Sequence, residues 1–211
     1  MINGIIAVVV GYLLGSIPSA YIATRVASGK DVRQLGGGNV GGLNVYREVG
    51  AIPAAVVGIV DVGKGVAAVA IAQWLLDVSP PFVLAAAVAA VAGHNWMVFL
   101  KFSGGKGMGA AIGSLFILFP LYGYPLGLAF FFGTILIPFI ITRNVALSMA
   151  IGLVSLPFIG WLGVESTPFV IYAIVLGLII LVRFVPTARV TLARTKSAKA
   201  FVFDRGQRGK R

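Results

Sequence analysis

Long apolar runs separated by short polar segments fill most of this chain. About 20 apolar residues are needed for a helix to cross the hydrocarbon core of a bilayer, which is about 30 Å thick. Measured against that length, the pattern predicts an all-α, polytopic integral membrane protein with about seven transmembrane helices. The predicted spans cover residues 2–23, 51–76, 81–98, 108–121, 123–141, 145–162 and 168–185.

The junction between the fourth and fifth predicted spans is the least regular part of this pattern. There the sequence Tyr122-Gly123-Tyr124-Pro125 interrupts one long apolar run. Gly and Pro in such a cluster favour a turn between two helices. The alternative is a single kinked helix through this segment, which would reduce the number of spans to six.

The distribution of basic residues favours seven spans. With seven, all but one of the 17 Lys and Arg residues lie on one side of the membrane, and the exception, Lys64, lies inside a span. The loops on the other side contain Asp77 and Glu165 but no Lys or Arg. Six spans would place Arg143 and the basic C-terminus on the side opposite to the first loop. Because cytoplasmic loops are enriched in Lys and Arg, we expect the N-terminus outside and the C-terminus in the cytoplasm.

Composition agrees with a lipid environment and excludes several classes of function. Of the 211 residues, 59% are apolar and 11% are charged, and a soluble domain of this size cannot cover so much apolar surface. The formal net charge of +11 is spread over loops and the C-terminus, which is typical of juxtamembrane segments and argues against a nucleic-acid partner. The absence of Cys excludes disulfides, thiolate metal sites and Cys nucleophiles.

The C-terminal residues form a segment of different composition. We therefore divide the chain into a transmembrane domain, residues 1–188, and a basic cytoplasmic tail, residues 189–211. We expect the tail to rest on the anionic lipid head groups of the bilayer. We expect the basic loops of the transmembrane domain to face the cytoplasm as well.

The first predicted cytoplasmic loop contains five glycines within residues 36–42. Glycines let the backbone turn tightly and direct N–H groups at an anion. The amides of Asn39 and Asn44 add orientable donors, and the guanidinium of Arg47 suits a phosphate or a carboxylate. The sequence therefore favours an anion-binding loop over the alternative, a flexible linker.

A second glycine loop, Gly104-Gly105-Lys106-Gly107, directly precedes a predicted helix. The free N–H groups and the dipole at a helix N-terminus attract anions, and Lys106 adds a mobile positive charge. The spacing differs from that of a Walker A loop, so nucleotide binding is not supported. His94, the single histidine, precedes this loop; it is either a hydrogen-bonded structural group or a catalytic one, and no general-base pair with Ser and Asp is evident.

Two charged residues, Asp61 and Lys64, lie inside the second predicted span. Charges within a span are costly and normally pair or line a polar cavity. A separation of three residues places both on one helix face, where they can form an ion pair. The alternative is that one of them turns toward the phosphate-binding loops, and the sequence does not favour either.

These motifs together resemble the bacterial acyl-phosphate:glycerol-3-phosphate acyltransferases, small enzymes of phospholipid synthesis with seven spans. The first loop is similar to that family's motif Ser-Gly-Asn-x-Gly-x-x-Asn-x-x-Arg. The similarity covers about residues 15–107 in the expected order. It is carried by Gly15-Ser16-Ile17-Pro18-Ser19-Ala20-Tyr21, Gly38 to Arg47, Asp61 to Gly65, Gly93-His94, Phe99-Leu100-Lys101-Phe102 and Gly104 to Gly107.

The resemblance implies transfer of a fatty acyl group from acyl phosphate to the 1-hydroxyl of glycerol 3-phosphate, giving lysophosphatidic acid and phosphate. It implies no metal or cofactor, and no direct use of acyl-CoA or acyl carrier protein. It also implies a place in the inner (plasma) membrane, with the active site facing the cytoplasm. Lys106 and His94 are the implied catalytic residues, with Lys106 holding the acyl-phosphate group. The residues implied to bind or shape the site for the substrates are Asn39, Gly41, Asn44, Arg47, Lys64, Gly104 and Gly105.

The chain departs from the family pattern at three positions. The opening Ser of the first motif is missing at the Gly38 position, Ala146 stands where the family carries Ser, and Thr187 stands at the expected Asn position. The chain is therefore a divergent active member, a paralogue with another acceptor, or an inactive relative. Other classes left open are a transporter or flippase for an anionic lipid precursor, and a scaffold for lipid-synthesis enzymes.

Overall fold

The structure, a computed structural model, describes residues 1–194 and the side chains of residues 1–185. Within these residues every regular element is helical, as predicted, apart from an isolated bridge between Met97 and Ser103. The helices are α1 (Ile2–Gly15), α2 (Ser19–Ser28), α3 (Gly42–Glu48), α4 (Ala51–Ala70), α5 (Pro80–Asn95), α6 (Met108–Leu121), α7 (Gly127–Thr142), α8 (Val145–Ile159) and α9 (Thr167–Arg194).

Helical turns of other types extend or connect these helices. Five-residue π turns continue α4 and α8, over Ile71–Leu75 and Gly160–Val164. Short 3₁₀ turns lie at Val32–Gln34 and Val98–Leu100, each in the connection that leads to one of the two glycine loops. The loops that carry the candidate chemistry are therefore compact segments with their own turns.

Four helical segments of the described chain are long and apolar enough to cross a membrane. They are Ile2–Ser28, Ala51–Leu75, Val145–Val164 and Thr167–Val185. Three further apolar helices are shorter, Pro80–Asn95, Met108–Leu121 and Leu126–Thr142. Each of the seven predicted spans thus coincides with helical structure, while the number of helices that cross the bilayer and their orientation stay predictions.

The first predicted span is broken, which the apolar pattern did not indicate. Helix α1 ends at Gly15 and α2 begins at Ser19. Pro18 has no backbone N–H to continue an α-helical ladder, so the chain turns between the two helices. Helix α2 then continues to Ser28 and ends at Gly29, whose φ of +69° is accessible to glycine at little cost.

The turn predicted between the fourth and fifth spans is confirmed. Helix α6 ends at Leu121, and the Tyr124 N–H donates to the Phe119 carbonyl at 2.9 Å. Gly123 has a φ of +74°, which a turn requires and a continuous helix does not allow. Helix α7 begins at Gly127, four residues later than the predicted start of that span, because the turn itself takes up residues 122–126.

One compact unit comprises Met1–Leu118. Within it α1 packs against α5 through small residues: Cβ atoms on Gly11 and Gly15 would overlap the carbonyls of Ala86 and Ala90. Close approach of helix backbones at small residues is the usual way that helices associate in lipid, where dispersion contacts replace the hydrophobic effect. These contacts hold the C-terminal end of α5 beside the break between α1 and α2.

Helices α4 and α6 pack in the same manner. A Cβ on Gly65 would overlap the Ala110 carbonyl, and a Cβ on Gly113 would overlap the Val62 carbonyl. The close packing places the Asp61 side chain, on the same face of α4, against Gly109 near the start of α6. The start of α6 is therefore fixed relative to the charged residues of α4.

A second compact unit begins at Phe119. In it α7 and α8 are joined by a hydrogen bond of 2.8 Å between the hydroxyls of Thr134 and Ser155. The ring of Phe169, on α9, packs against the rings of Phe119, at the end of α6, and Tyr122, in the turn that follows. Helix α9 continues beyond the predicted domain boundary at residue 188, and residues 195–211, most of the predicted tail, lie outside the described residues.

Candidate active site

The break between α1 and α2 leaves backbone carbonyls without helical partners, and Lys64 binds them. Lys64 Nζ donates to the Ile17 carbonyl at 2.8 Å and to the Gly15 carbonyl at 3.3 Å. Non-helical backbone within a membrane persists only where the protein satisfies its hydrogen bonds. A lysine on α4 therefore stabilises the broken first helix pair.

Asp61 lies at the centre of the same buried cluster. Its Oδ1 atom is 2.7 Å from Lys64 Nζ, so the ion pair anticipated from their spacing is present. The Ser19 hydroxyl donates to this oxygen at 2.6 Å, and His94 Nδ1 lies 3.5 Å from it. Four polar side chains from α2, α4 and α5 thus meet inside the helices of this unit.

His94 lies in the last turn of α5, directly against the second glycine loop. The Gly105 N–H donates to the His94 carbonyl at 3.0 Å. A Cβ on Gly105 would overlap His94 Nε2 and crowd the carbonyl of Val40. Gly104 is equally restricted, because a Cβ there would overlap the carbonyls of His94 and Asn95. Only glycine fits at these two positions.

The contact at Gly105 brings the two glycine loops together. Val40 belongs to the first loop and is fully buried, and its carbonyl faces the second loop. Lys106 follows at the half-buried turn that leads into α6, where Gly107 has a φ of +75°. The two candidate loops and the histidine between them therefore lie side by side within the first compact unit.

The first loop is closed by Asn44 from α3. Its side-chain amide donates to the Leu35 carbonyl at 3.0 Å and to the Val32 carbonyl at 3.4 Å. These bonds hold the loop in shape, since the Asn44 side chain is buried and its donors point at the loop's own backbone. Arg47, one turn later on α3, is exposed, and Asn39 is half-buried.

An ion pair that the sequence did not suggest precedes the first glycine loop. Asp31 Oδ2 lies 2.7 Å from Arg33 Nη2, and the same carboxylate accepts the Arg33 backbone N–H at 3.0 Å. The Arg33 guanidinium lowers the pKa of Asp31 from 3.8 to about 2. The guanidinium also lies over the Tyr21 ring, 5.6 Å from its centroid. These contacts anchor the loop to α2.

The sequence likewise gives no indication that Asp61 and His94 lie close together. The two residues lie on different helices, α4 and α5, and only the packing of those helices on α1 brings them together. Neither composition nor local spacing could indicate this contact, since only the separation of Asp61 from Lys64 is local. Ser19 lies in a segment that carries part of the family resemblance, but its partner could not be read from the chain.

Comparison with known proteins identifies the family to which this arrangement belongs. Residues 5–193 match the family described as glycerol-3-phosphate acyltransferase. The chain belongs to the glycerol-3-phosphate acyltransferase family. The resemblance recognised from the loop motifs is thereby confirmed, and it extends well beyond residues 15–107 to nearly the whole chain.

Individual relatives of this family match almost end to end. Glycerol-3-phosphate acyltransferase 1 of Dehalococcoides mccartyi is 43% identical over 202 residues, which cover 96% of this chain and 97% of the relative. Glycerol-3-phosphate acyltransferase 2 of Moorella thermoacetica is 37% identical over 192 residues, covering 91% and 95%. The matches therefore span nearly the whole length of both chains.

Solved structures of the family share the fold. The crystal structure of PlsY, an integral membrane glycerol 3-phosphate acyltransferase, in its glycerol 3-phosphate form matches with a TM-score of 0.78. The two sequences are 29% identical, and the match covers 90% of this chain and 92% of PlsY. The lysophosphatidic acid form matches with a TM-score of 0.76. The chain is accordingly an integral membrane protein of this acyltransferase family.

Proposed function

We propose that this protein transfers a fatty acyl group from acyl phosphate to the 1-hydroxyl of glycerol 3-phosphate in phospholipid synthesis. The observation that carries the proposal is the match to PlsY over about nine-tenths of both chains, together with family membership over residues 5–193. The two glycine loops that meet at His94 support it, because Lys106 and the N-terminal end of α6 follow the second loop directly and suit a phosphate.

The chemistry requires little more than charge neutralisation and positioning. The 1-hydroxyl oxygen bonds to the acyl carbon while the bond from that carbon to the phosphate oxygen breaks, and the electron pair leaves with phosphate. The phosphate oxygen can accept the hydroxyl proton. Because acyl phosphate is already activated, the Lys106 ammonium at the N-terminal end of α6 stabilises the developing negative charge, and Gly104 and Gly105 shape the loop that presents it.

The proposed roles of the site residues follow their positions. Lys106, at the turn into α6, neutralises the acyl-phosphate group, and His94 lies beneath the same loop. Exposed Arg47 binds the phosphate of glycerol 3-phosphate. The contribution of Lys64 is indirect, since it binds the backbone of α1 and the turn that follows it. Residues proposed to shape the acceptor side are Asn39, Gly41 and Asn44.

In the membrane we propose seven spans, with the N-terminus outside and the C-terminus and active site on the cytoplasmic side of the inner membrane. The segregation of Lys and Arg to alternate loops supports this orientation. The proposed contact of the basic tail with anionic lipid head groups concerns residues that lie mostly outside those described. A flippase is not favoured, because the family is one of acyltransferases.

A second candidate is the same transfer to a different phosphorylated acceptor. The observation that favours it is Ala146, which stands where the family carries Ser, so the serine hydroxyl is missing. The neighbouring Ser148 does not replace it, because its hydroxyl is buried and donates to the Asn144 carbonyl at 2.8 Å. A hydrogen-bonding group that the family pattern implies is thus absent, and loss of one such group is enough to shift selectivity between substrates.

The experiment that tests both candidates is product analysis by mass spectrometry. Purified protein in lipid receives acyl phosphate together with glycerol 3-phosphate or one of several other phosphorylated polyols. We expect lysophosphatidic acid with glycerol 3-phosphate and no product when acyl-CoA replaces acyl phosphate. Product with another polyol alone would establish the second candidate, and product from acyl-CoA would overturn the proposed donor.

A further inference from the structure

The buried cluster of Ser19, Asp61, Lys64 and His94 is only partly used by the proposed chemistry. Its members are 7%, 5%, 3% and 3% exposed, respectively. Charged groups inside a membrane span cost free energy unless they are paired, and they commonly mark functional sites. Asp61 has no role in the proposed transfer, yet it is the member that contacts the other three.

The hydrogen bonds of Lys64 limit how its ammonium group interacts with the histidine. An ammonium has three N–H donors. The nearest acceptors around Nζ are Asp61 Oδ1 at 2.7 Å, the Ile17 carbonyl at 2.8 Å and the Gly15 carbonyl at 3.3 Å. His94 Nδ1 is more distant, at 3.5 Å. The three N–H groups are therefore directed at oxygen atoms rather than at the imidazole.

The Asp61 carboxylate then decides the tautomer of His94. Its Oδ1 lies 3.5 Å from Nδ1, and an ionised carboxylate accepts hydrogen bonds but cannot donate them. This favours the proton on Nδ1, which leaves an unprotonated Nε2 facing Gly105. We propose that Asp61 is a positioning residue that fixes the Nδ1–H tautomer and the ring orientation of His94, and through the ring the Gly104–Gly105 loop.

Ser19 holds the carboxylate and does not act as a nucleophile. Its hydroxyl donates to Asp61 Oδ1 at 2.6 Å, so it contacts the acid of the cluster. In a Ser-His-Asp triad the serine contacts the imidazole and the acid lies behind the ring. Here the serine contacts the acid and not the imidazole. The hydrogen bond from Ser19 therefore fixes the position of the Asp61 carboxylate between α2 and α4.

The link from His94 to the loop is direct. Gly105 donates its N–H to the His94 carbonyl at 3.0 Å, and the ring occupies the space where a Gly105 side chain would lie. A ring that changes tautomer or rotates therefore displaces Gly105. Since the Gly104–Gly105 loop presents Lys106 to acyl phosphate in the proposed function, on which this step rests, Asp61 controls binding of the acyl donor.

The tautomer is directly measurable because the chain contains one histidine. In lipid-reconstituted protein labelled with ¹⁵N-histidine, we expect the NMR spectrum of a protonated Nδ1 and an unprotonated Nε2. Asp61→Asn removes the negative charge and leaves a weaker acceptor facing Nδ1, so the population of the Nδ1–H tautomer is expected to fall and that of the Nε2–H tautomer to rise. A protonated Nε2 in the unmodified protein, or an unchanged spectrum in Asp61→Asn, would overturn the proposal.

The matched control is Asp31→Asn. It makes the same substitution on a carboxylate that pairs with Arg33, away from the histidine, and is expected to leave the His94 spectrum unchanged. Ser19→Ala provides a second test if Asp61→Asn does not fold, because it removes one hydrogen bond to Asp61 without removing the charge. It is expected to broaden or partly shift the Nδ1 signal, and an unchanged signal counts against the proposal.

Kinetics separate this role from a general loss of structure. Asp61→Asn is expected to raise the KM for acyl phosphate about tenfold and to leave the KM for glycerol 3-phosphate unchanged. An equal rise in both would contradict a role confined to the donor loop. The NMR measurement needs no activity, so it decides the tautomer even if the protein forms no lysophosphatidic acid and the proposed function fails.

Discussion

Gly105 shows most clearly how single residues shape the site. The His94 ring and the Val40 carbonyl leave no room for a side chain there. The glycine run itself was evident from the sequence, and so was its suitability for phosphate. What the sequence could not indicate is that a histidine ring from α5 fills the space beside it, because that depends on the packing of α5 against α1.

Replacement of this glycine is predicted to disrupt the donor loop. In Gly105→Ala the new Cβ must displace either the His94 ring or the loop itself, and we expect a fall in kcat/KM for acyl phosphate of about 100-fold. Initial rates of product formation measure the effect. Gly58→Ala, on α4 where a Cβ meets no other atom within 4 Å, is the control and is expected to keep the full rate. Unchanged kinetics in Gly105→Ala would contradict the contact.

At the scale of single residues the charged pair in the second span was only partly predictable. The spacing of Asp61 and Lys64 suggested their ion pair, which the structure contains. Their further partners, the carbonyls at the α1–α2 break and His94, lie 30 or more positions away in sequence. Local spacing carries no information about such contacts.

The sequence predicts helices well where the length of an apolar run determines them. All seven apolar segments are helical, and the turn at residues 122–126 separates two helices as the Gly and Pro residues there indicated. The break at residues 16–18 was missed because the run stays apolar across it, and Pro18 alone does not decide between a kink and a turn. The break is stabilised by Lys64, which donates to the Gly15 and Ile17 carbonyls.

The packing of α4 against α6 through small residues leads to a testable prediction about helix contacts. Gly65 and Gly63 lie two positions apart on α4, but only Gly65 faces a backbone, that of α6 at Ala110. Gly65→Ala is therefore expected to separate the two helices and lower the thermal unfolding temperature by several degrees, with a destabilisation of about 1–3 kcal/mol. Gly63→Ala meets no atom within 4 Å and is expected to be neutral.

The pair is compared by thermal unfolding in detergent. Because both substitutions make the same chemical change on one helix, a difference between them reports packing and not helix propensity. Equal unfolding temperatures for the two variants would show that α4 and α6 do not pack as described.

At the scale of the whole molecule, the segregation of basic residues bears on membrane topology. The charge pattern predicts seven spans with the basic loops in the cytoplasm. Since the chain has no Cys, single cysteines introduced one at a time can be labelled without interference. The loop positions Ser28, Ser79 and Thr167, at the ends of helices, are suitable because all three are exposed.

Labelling with a membrane-impermeant maleimide in intact cells tests this topology. We expect Ser79→Cys and Thr167→Cys to react from outside, and Ser28→Cys to react only after the membrane is opened. Six spans would place position 167 on the same side as position 28. If neither Thr167→Cys nor Ser28→Cys reacts in intact cells, the seven-span topology is rejected. Reaction of Ser28→Cys alone in intact cells would reverse the proposed orientation.

The central claim is acyl transfer from acyl phosphate through the Lys106 loop, and the rate of lysophosphatidic acid formation tests it most directly. Protein in liposomes is given acyl phosphate and glycerol 3-phosphate, and Lys106→Ala is compared with Lys101→Ala, an exposed lysine five residues earlier. We predict product only when both substrates are present, a loss of at least about 100-fold in Lys106→Ala, and a nearly unchanged rate in Lys101→Ala. Equal rates in the two variants, or no product from the unmodified protein, would contradict the account.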